Sequence, residues 1–254
     1  MAEKKRAIVF GAHNDDPEYG AGGMTALLNE LGWEILYVCV AHKCRLFKKD
    51  AGTELERLYT DPETCMRYRD QTMESARILG ADKVFVNESD NKFYFWGDEE
   101  VRKLVDILED FQPDIAFTHW MKDNHYEHVE TARITMLALS YSVSCEVYAY
   151  EAGPWQSMVY FMPDFTVNIA PVMDRVEKSL MCYDQPRANG KWLVKEKKAG
   201  ANLRGHMSGY EWGESFKVLR WPTKDPELIL PKLFKNNYRW GGNAQYMWGN
   251  QYEF

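Results

Sequence analysis

The chain has 254 residues, 45% of them hydrophobic, with a formal net charge of −7 and a pI near 5.5. That length buries one substantial core, and the acidic balance argues against a phosphate-tracking surface, so no nucleic acid is expected as a partner. No apolar run approaches the roughly 20 residues a membrane span needs, so no membrane is expected either. The start, MAEKKRAIVFGAH, is too short in apolar residues for a signal-peptide core. The five cysteines (Cys39, Cys44, Cys65, Cys145 and Cys182) are scattered, without a CxxC pair, which fits reduced thiols and a cytoplasmic protein.

In chain order, RAIVF at 6–10 is β-branched and apolar and ends at Gly11, as a buried parallel strand does. Residues 20–31 carry Met24, Leu27, Leu28 and Leu31 at helical spacing, closed by Gly32. EILYVCVAH, 34–42, is a second strand, which completes a βαβ unit. The polar stretch 43–62 is long for a connection, and such loops are usually functional. Further helices are expected over 64–79, stopped by Gly80, over 98–111 and over 127–140, with strands at 83–87, 114–120 and from Glu146. This alternation predicts an α/β fold with a doubly wound, mostly parallel, Rossmann-like sheet.

After Gly153 the pattern loosens. PDFTVNIA reads as an edge strand or a β-ribbon, a helix follows Pro171, another spans about 199–214, and FKVLR is a short strand. The tail, 222–254, is rich in Pro, Asn, Gly and aromatics, and it is expected to pack on its own domain or on a partner subunit of a homo-oligomer. The tryptophans concentrated after residue 150 suit core or interface better than a sugar platform. With no repeat or linker in view, 1–254 is read as a single domain with an irregular C-terminal extension.

Ligands of a doubly wound sheet bind at the carboxyl ends of its strands. AHNDDPEYGAGG, 12–23, follows the first strand there and places His13, Asp15 and Asp16 within four positions. By itself this cluster reads equally as turn formers and a helix cap. After the fourth strand comes HWMKDNHYEHVETARIT, which holds His119, His125 and His128, three of the six histidines. A turn entering a helix points residues three apart toward one face. Two such loops, both rich in zinc-type ligands, suit a catalytic zinc site with three protein ligands and one open position.

These motifs resemble the PIG-L/LmbE family of zinc-dependent N-acetylglucosaminyl deacetylases. Its first signature, Ala-His-Pro-Asp-Asp, stands here as Ala12-His13-Asn14-Asp15-Asp16, continued by Glu18, Gly20, Gly22 and Gly23. The second, His-Pro-Asp-His, stands as His125-Tyr126-Glu127-His128, with further echoes in Ala76 to Gly80, Ser89-Asp90-Asn91 and Arg204-Gly205. The resemblance implies His13, Asp16 and His128 as metal ligands, Asp15 as general base and His125 as general acid. It implies Zn2+ as cofactor, with Fe2+ or another divalent ion as alternative, and an N-acetylglucosamine-type small molecule as substrate. Asp90 falls where the family contacts substrate, and an Arg of the second helix does the same there; the register admits Arg67 or Arg69, and Arg67 is carried as the candidate.

The chain departs from the family pattern at three places. Asn14 replaces a proline, which should loosen the loop; Glu127 replaces an aspartate; and 42–62 replaces a short turn, with His42 either lining the pocket or solvated. A zinc amidase acting on larger conjugates would use the same ligands. A sugar-binding module without catalysis would not need Asp15 and His125. A dinucleotide site is excluded, because no GxGxxG follows the first strand.

Overall fold

The computed structural model describes residues 4–41, 51–53, 56–57, 60–87, 97–153, 161–186, 189–222, 227–235 and 238–240. In chain order these form β1 (Arg6–Gly11), α1 (Asp16–Glu30), β2 (Glu34–Ala41), α2 (Pro62–Leu79), β3 (Asp82–Asn87), α3 (Asp98–Phe111), β4 (Ile115–His119), α4 (Tyr126–Tyr141) and β5 (Glu146–Tyr150). Then follow β6 (Phe165–Asn168), a 3₁₀ turn (Ala170–Val172), α5 (Met173–Leu180), α6 (Gly190–Met207), β7 (Gly213–Arg220), α7 (Ile229–Leu233) and β8 (Tyr238–Trp240).

The strands make one sheet in the order β3-β2-β1-β4-β5-β7-β6-β8. β1 to β5 pair in parallel, and β7, β6 and β8 add antiparallel beyond β5. Side chains alternate across each strand, so β1 sends Ala7 and Val9 to one face and Ile8 and Phe10 to the other. The first face packs on Met24 and Leu28 of α1, Leu79 of α2 and Val176 and Leu180 of α5. The second packs on Leu104 and Leu108 of α3 and Ile134 and Ala138 of α4. From β1 the chain builds outward through β2 and β3, then returns to place β4 on the other side of β1. The carboxyl ends of β1 and β4 therefore flank the switch point, where a doubly wound sheet opens a crevice.

Helix α1 begins four residues earlier than the spacing of its leucines predicts. Asp16 and Pro17 form its first turn, where a missing proline N–H costs nothing, and Asp15 is the N-cap. The helix is kinked at Ala21 (φ −133°, ψ 23°). An unbroken helix would bond the Gly23 N–H to the Tyr19 carbonyl. Here the Glu214 carboxylate of β7 accepts the N–H groups of Gly23 and Met24, both at 2.7 Å. The Tyr19 carbonyl freed by this accepts instead from Lys197 of α6 at 2.7 Å, and Lys197 also pairs with Glu214 at 2.6 Å. A buried ion pair thus stands in for the missing helical bond. Gly20 is required by close approach, since a Cβ there would lie 2.1 Å from the Tyr150 ring.

Three other expectations need correction. The helix expected at 199–214 runs from Gly190 to Met207, because Lys197 and Arg204 occupy its buried face through ion pairs and hide the apolar stripe. The strand at 165–168 is not at the edge but inside an antiparallel ribbon, the other alternative: β7 pairs on one side of it and β8, from the aromatic-rich tail, on the other. FKVLR is the end of the longer β7. Residues 42–50, with His42, and the tail beyond Trp240 lie outside the described residues.

Candidate metal centre

The β1 and β4 loops converge at the switch point. His13, Asp16 and His128 offer ligand atoms that all lie within 4.8 Å of one another. Asp16 is the hub: its Oδ2 is 3.3 Å from His13 Nδ1 and its Oδ1 is 3.4 Å from His128 Nε2. Oδ2 also accepts the His13 backbone N–H at 2.8 Å, which locks the loop around the carboxylate. Two imidazole nitrogens and one carboxylate form a donor set suited to zinc, and to iron, cobalt or nickel as well.

The outward nitrogen of each candidate ligand meets a carboxylate. His13 Nε2 lies 2.5 Å from Glu127 Oε2, and His128 Nδ1 lies 3.2 Å from Asp123 Oδ2. The extra methylene of Glu127 lets it reach across to His13, while Tyr126 donates its hydroxyl to the other oxygen at 3.1 Å. Asp123 also accepts the His125 backbone N–H at 2.7 Å. His119 lies deeper than the ligand group, fully buried and stacked on His128 with centroids 4.0 Å apart. Its Nε2 accepts the Ala12 N–H at 3.0 Å and is 3.1 Å from Asp16 Oδ2.

Charge is sharply divided within the cluster. Burial works against the charged forms of His13 and His128, but Asp16 outweighs it, helped by Glu127 for His13 and by Asp123 for His128. His13 is raised well above the usual imidazole value, and His128 to about 9. Asp16 is held well below the carboxylate range, because His128, His119 and His13 together overcome its burial. Burial and then the neighbouring Asp16 push Asp15 up, which makes it a stronger base than an ordinary aspartate. His125 does not have the near-neutral value expected of a proton donor. Burial, His13 and His128 push it down to about 4, so it stands neutral at pH 7.

Asn14 does not loosen its loop. Its side chain donates to Thr72 Oγ1 at 2.9 Å, and its carbonyl accepts from Lys83 at 2.7 Å and from Tyr183 at 2.5 Å. Lys83 is itself buried against Glu18 of the first motif. A lone lysine in the apolar strand DKVFVN was the signal in the sequence for this buried partner. Arg67 is exposed and donates to the Tyr68 hydroxyl at 3.2 Å, whereas Arg69 is half-buried with its guanidinium 5.4 Å from the Phe85 ring centre. Asp90 lies outside the described residues. Arg204 pairs with Glu151, just beyond β5, through two bonds of 2.6 and 2.7 Å.

The sequence profile of the GlcNAc-PI de-N-acetylase family, PIG-L, matches residues 8–139, from β1 through α4. The chain belongs to the PIG-L family. Its relatives include deacetylases, and not only these. A 4-oxalmesaconate hydratase of Pseudomonas putida is 29% identical over 198 residues, covering 70% of this chain and 73% of the relative. The crystal structure of the 4-carboxy-2-hydroxymuconate hydratase of Pseudomonas putida aligns with a TM-score of 0.71 at 21% identity, over 88% of this chain and all of that one. The N,N'-diacetylchitobiose deacetylase of Pyrococcus horikoshii aligns with a TM-score of 0.67 at 22% identity, over 85% of this PIG-L chain and 84% of that one. Both structures share its α/β fold. Among the described residues no helix is long and apolar enough to cross a membrane.

Proposed function

We propose that the protein is a metal-dependent hydrolase that removes an acyl group, acetyl in the first instance, from the nitrogen of an N-acetylglucosamine-type small molecule. The observation that carries this reading is the convergence of His13, Asp16 and His128 on one position, with Asp15 at the neck of the same loop. These three residues would hold the ion, with Zn2+ expected and Fe2+ the alternative. A bound divalent ion lowers the pKa of water toward about 7 and polarises a carbonyl. Asp15 takes a proton from the attacking water at its carboxylate, as its raised affinity for protons favours. His125, neutral beforehand, relays to the departing amine the proton that Asp15 took from the water. Asp90 and Arg67 are the substrate contacts proposed from the family pattern, with Arg69 as the alternative on the same helix.

A second reading is favoured by the similarity to the 4-oxalmesaconate hydratase. The same set, Asp15 beside a metal-binding triad, could add water to an activated carbon–carbon double bond. One experiment separates the two. The zinc-loaded protein is offered a panel of N-acyl amino sugars, scored for free amine, and a panel of unsaturated polycarboxylates, scored for loss of conjugated absorbance. Chelator-sensitive amine release supports the deacylase. Hydration with no amine released from any amide overturns it.

A further inference from the structure

We infer that Asp123 is a positioning residue that fixes the tautomer of His128 and ties that metal ligand to the placement of His125. The inference rests on the metal reading of the site and goes beyond it, because Asp123 lies outside both family signatures.

Asp123 sits between β4 and α4, and its side chain is 0% exposed. Each of its oxygens has a separate task. Oδ2 faces His128 Nδ1 at 3.2 Å, while Oδ1 accepts the backbone N–H of His125 at 2.7 Å. A carboxylate at this distance accepts and cannot donate, so it favours the tautomer with the proton on Nδ1. The lone pair of a neutral His128 then lies on Nε2, the nitrogen 3.4 Å from Asp16 Oδ1 and turned into the ligand group. A carboxylate behind a ligating imidazole in this way sets ring orientation and raises ligand basicity. Through Oδ1 the same group holds the N-cap of α4, which is His125 itself. Rings 125 and 128 stack with centroids 4.5 Å apart, so a shift of Asp123 moves ligand and neighbour together.

Two substitutions separate tautomer control from simple support. Asp123→Asn keeps the shape and an oxygen for the His125 N–H, but it turns an NH2 toward His128 Nδ1. That forces the imidazole proton to Nε2, the wrong nitrogen for a ligand. Asp123→Ala removes both contacts and leaves Nδ1 to water. Zinc affinity is measured by chelator competition, alongside the melting temperature of each metal-free protein. Tautomer control predicts wild type tightest, then Ala, then Asn, with Asn weaker than wild type by about 10–100-fold. The metal-free Asn variant should nonetheless melt no lower than the Ala variant. An Asn variant that binds zinc as well as wild type, or better than Ala, overturns the inference. A wild-type protein that takes up no zinc overturns the metal reading, and this inference with it.

Discussion

The Tyr183 hydroxyl donates to the Asn14 carbonyl at 2.5 Å, across 169 positions of sequence. Lys83 donates to the same oxygen at 2.7 Å, so both lone pairs of the carbonyl between His13 and Asp15 are engaged. Tyr183→Phe should lower stability by about 0.5–1.5 kcal/mol, the net worth of one hydrogen bond, and weaken zinc binding a few-fold. Lys83→Met should cost about 3–5 kcal/mol, because it strands Glu18 in the interior. Calorimetry and zinc titration check both; a Tyr183→Phe protein equal to wild type in each would show that the loop needs no such support.

Asp15 and Asp16 are neighbours with opposite expected behaviour. Asp16→Ala should abolish tight metal binding, since His13 and His128 both meet its carboxylate. Asp15→Ala should keep near-normal metal content and lose about 10²-fold or more in turnover. Metal analysis and rate assays on the two proteins decide it. Equal metal loss in both would refute the division of roles.

The histidines also set a pH optimum for the stability of chelator-treated protein. His119 and His125 fall from 6.5 to about 4 on folding, so across that interval the unfolded chain binds more protons and stability rises with pH. His128 moves the other way, from 6.5 to about 9, and its contribution is complete below 6.5 and lost as pH climbs through about 9. Melting temperature should therefore peak near pH 6.5 and decline on the alkaline side, with zinc flattening that decline as it replaces the imidazole protons. A metal-free melting temperature that keeps rising from pH 7 to 9 would contradict this.

Gly20→Ala probes the packing beneath the site. The new methyl would meet the Tyr150 ring at 2.1 Å, and Tyr150 bonds the β1 carbonyl of Phe10 while its ring lies against His119. Overpacking of this kind costs about 1–3 kcal/mol. Thermal unfolding should register the loss, and zinc affinity should fall as His119 is displaced toward Asp16. No change in either would mean that Tyr150 can move aside freely.

The parallel half of the fold was legible because its signals are local. β1 to β5 are apolar runs ended by turn residues, and Gly80 closes α2 in the left-handed conformation at φ 84°. That the His13 loop and the His128 loop meet followed from the rule that loops at carboxyl strand ends converge; the choice of His13, Asp16 and His128 within them was what the resemblance to the PIG-L/LmbE family implied. Helix α6 was misplaced because Lys197 and Arg204 look like surface residues until their partners Glu214 and Glu151 are known. Asp123 was hidden for a similar reason. An aspartate two residues before His125 reads as loop chemistry, and only the fold turns it toward His128.

The exchange between α1 and β7 has a consequence for how new members of such a family could arise. The matched profile ends at residue 139, so the later segment lies outside the part of the chain that the family model matches. Yet Tyr183, Lys197 and Glu214 reach back from that segment to Asn14, Tyr19, Gly23 and Met24. A transplanted C-terminal half lacking those three side chains would bring foreign surface and, in the same step, release the loop that carries Asp15. Viable hybrids should retain a tyrosine, a lysine and a glutamate at these positions even where everything around them has changed.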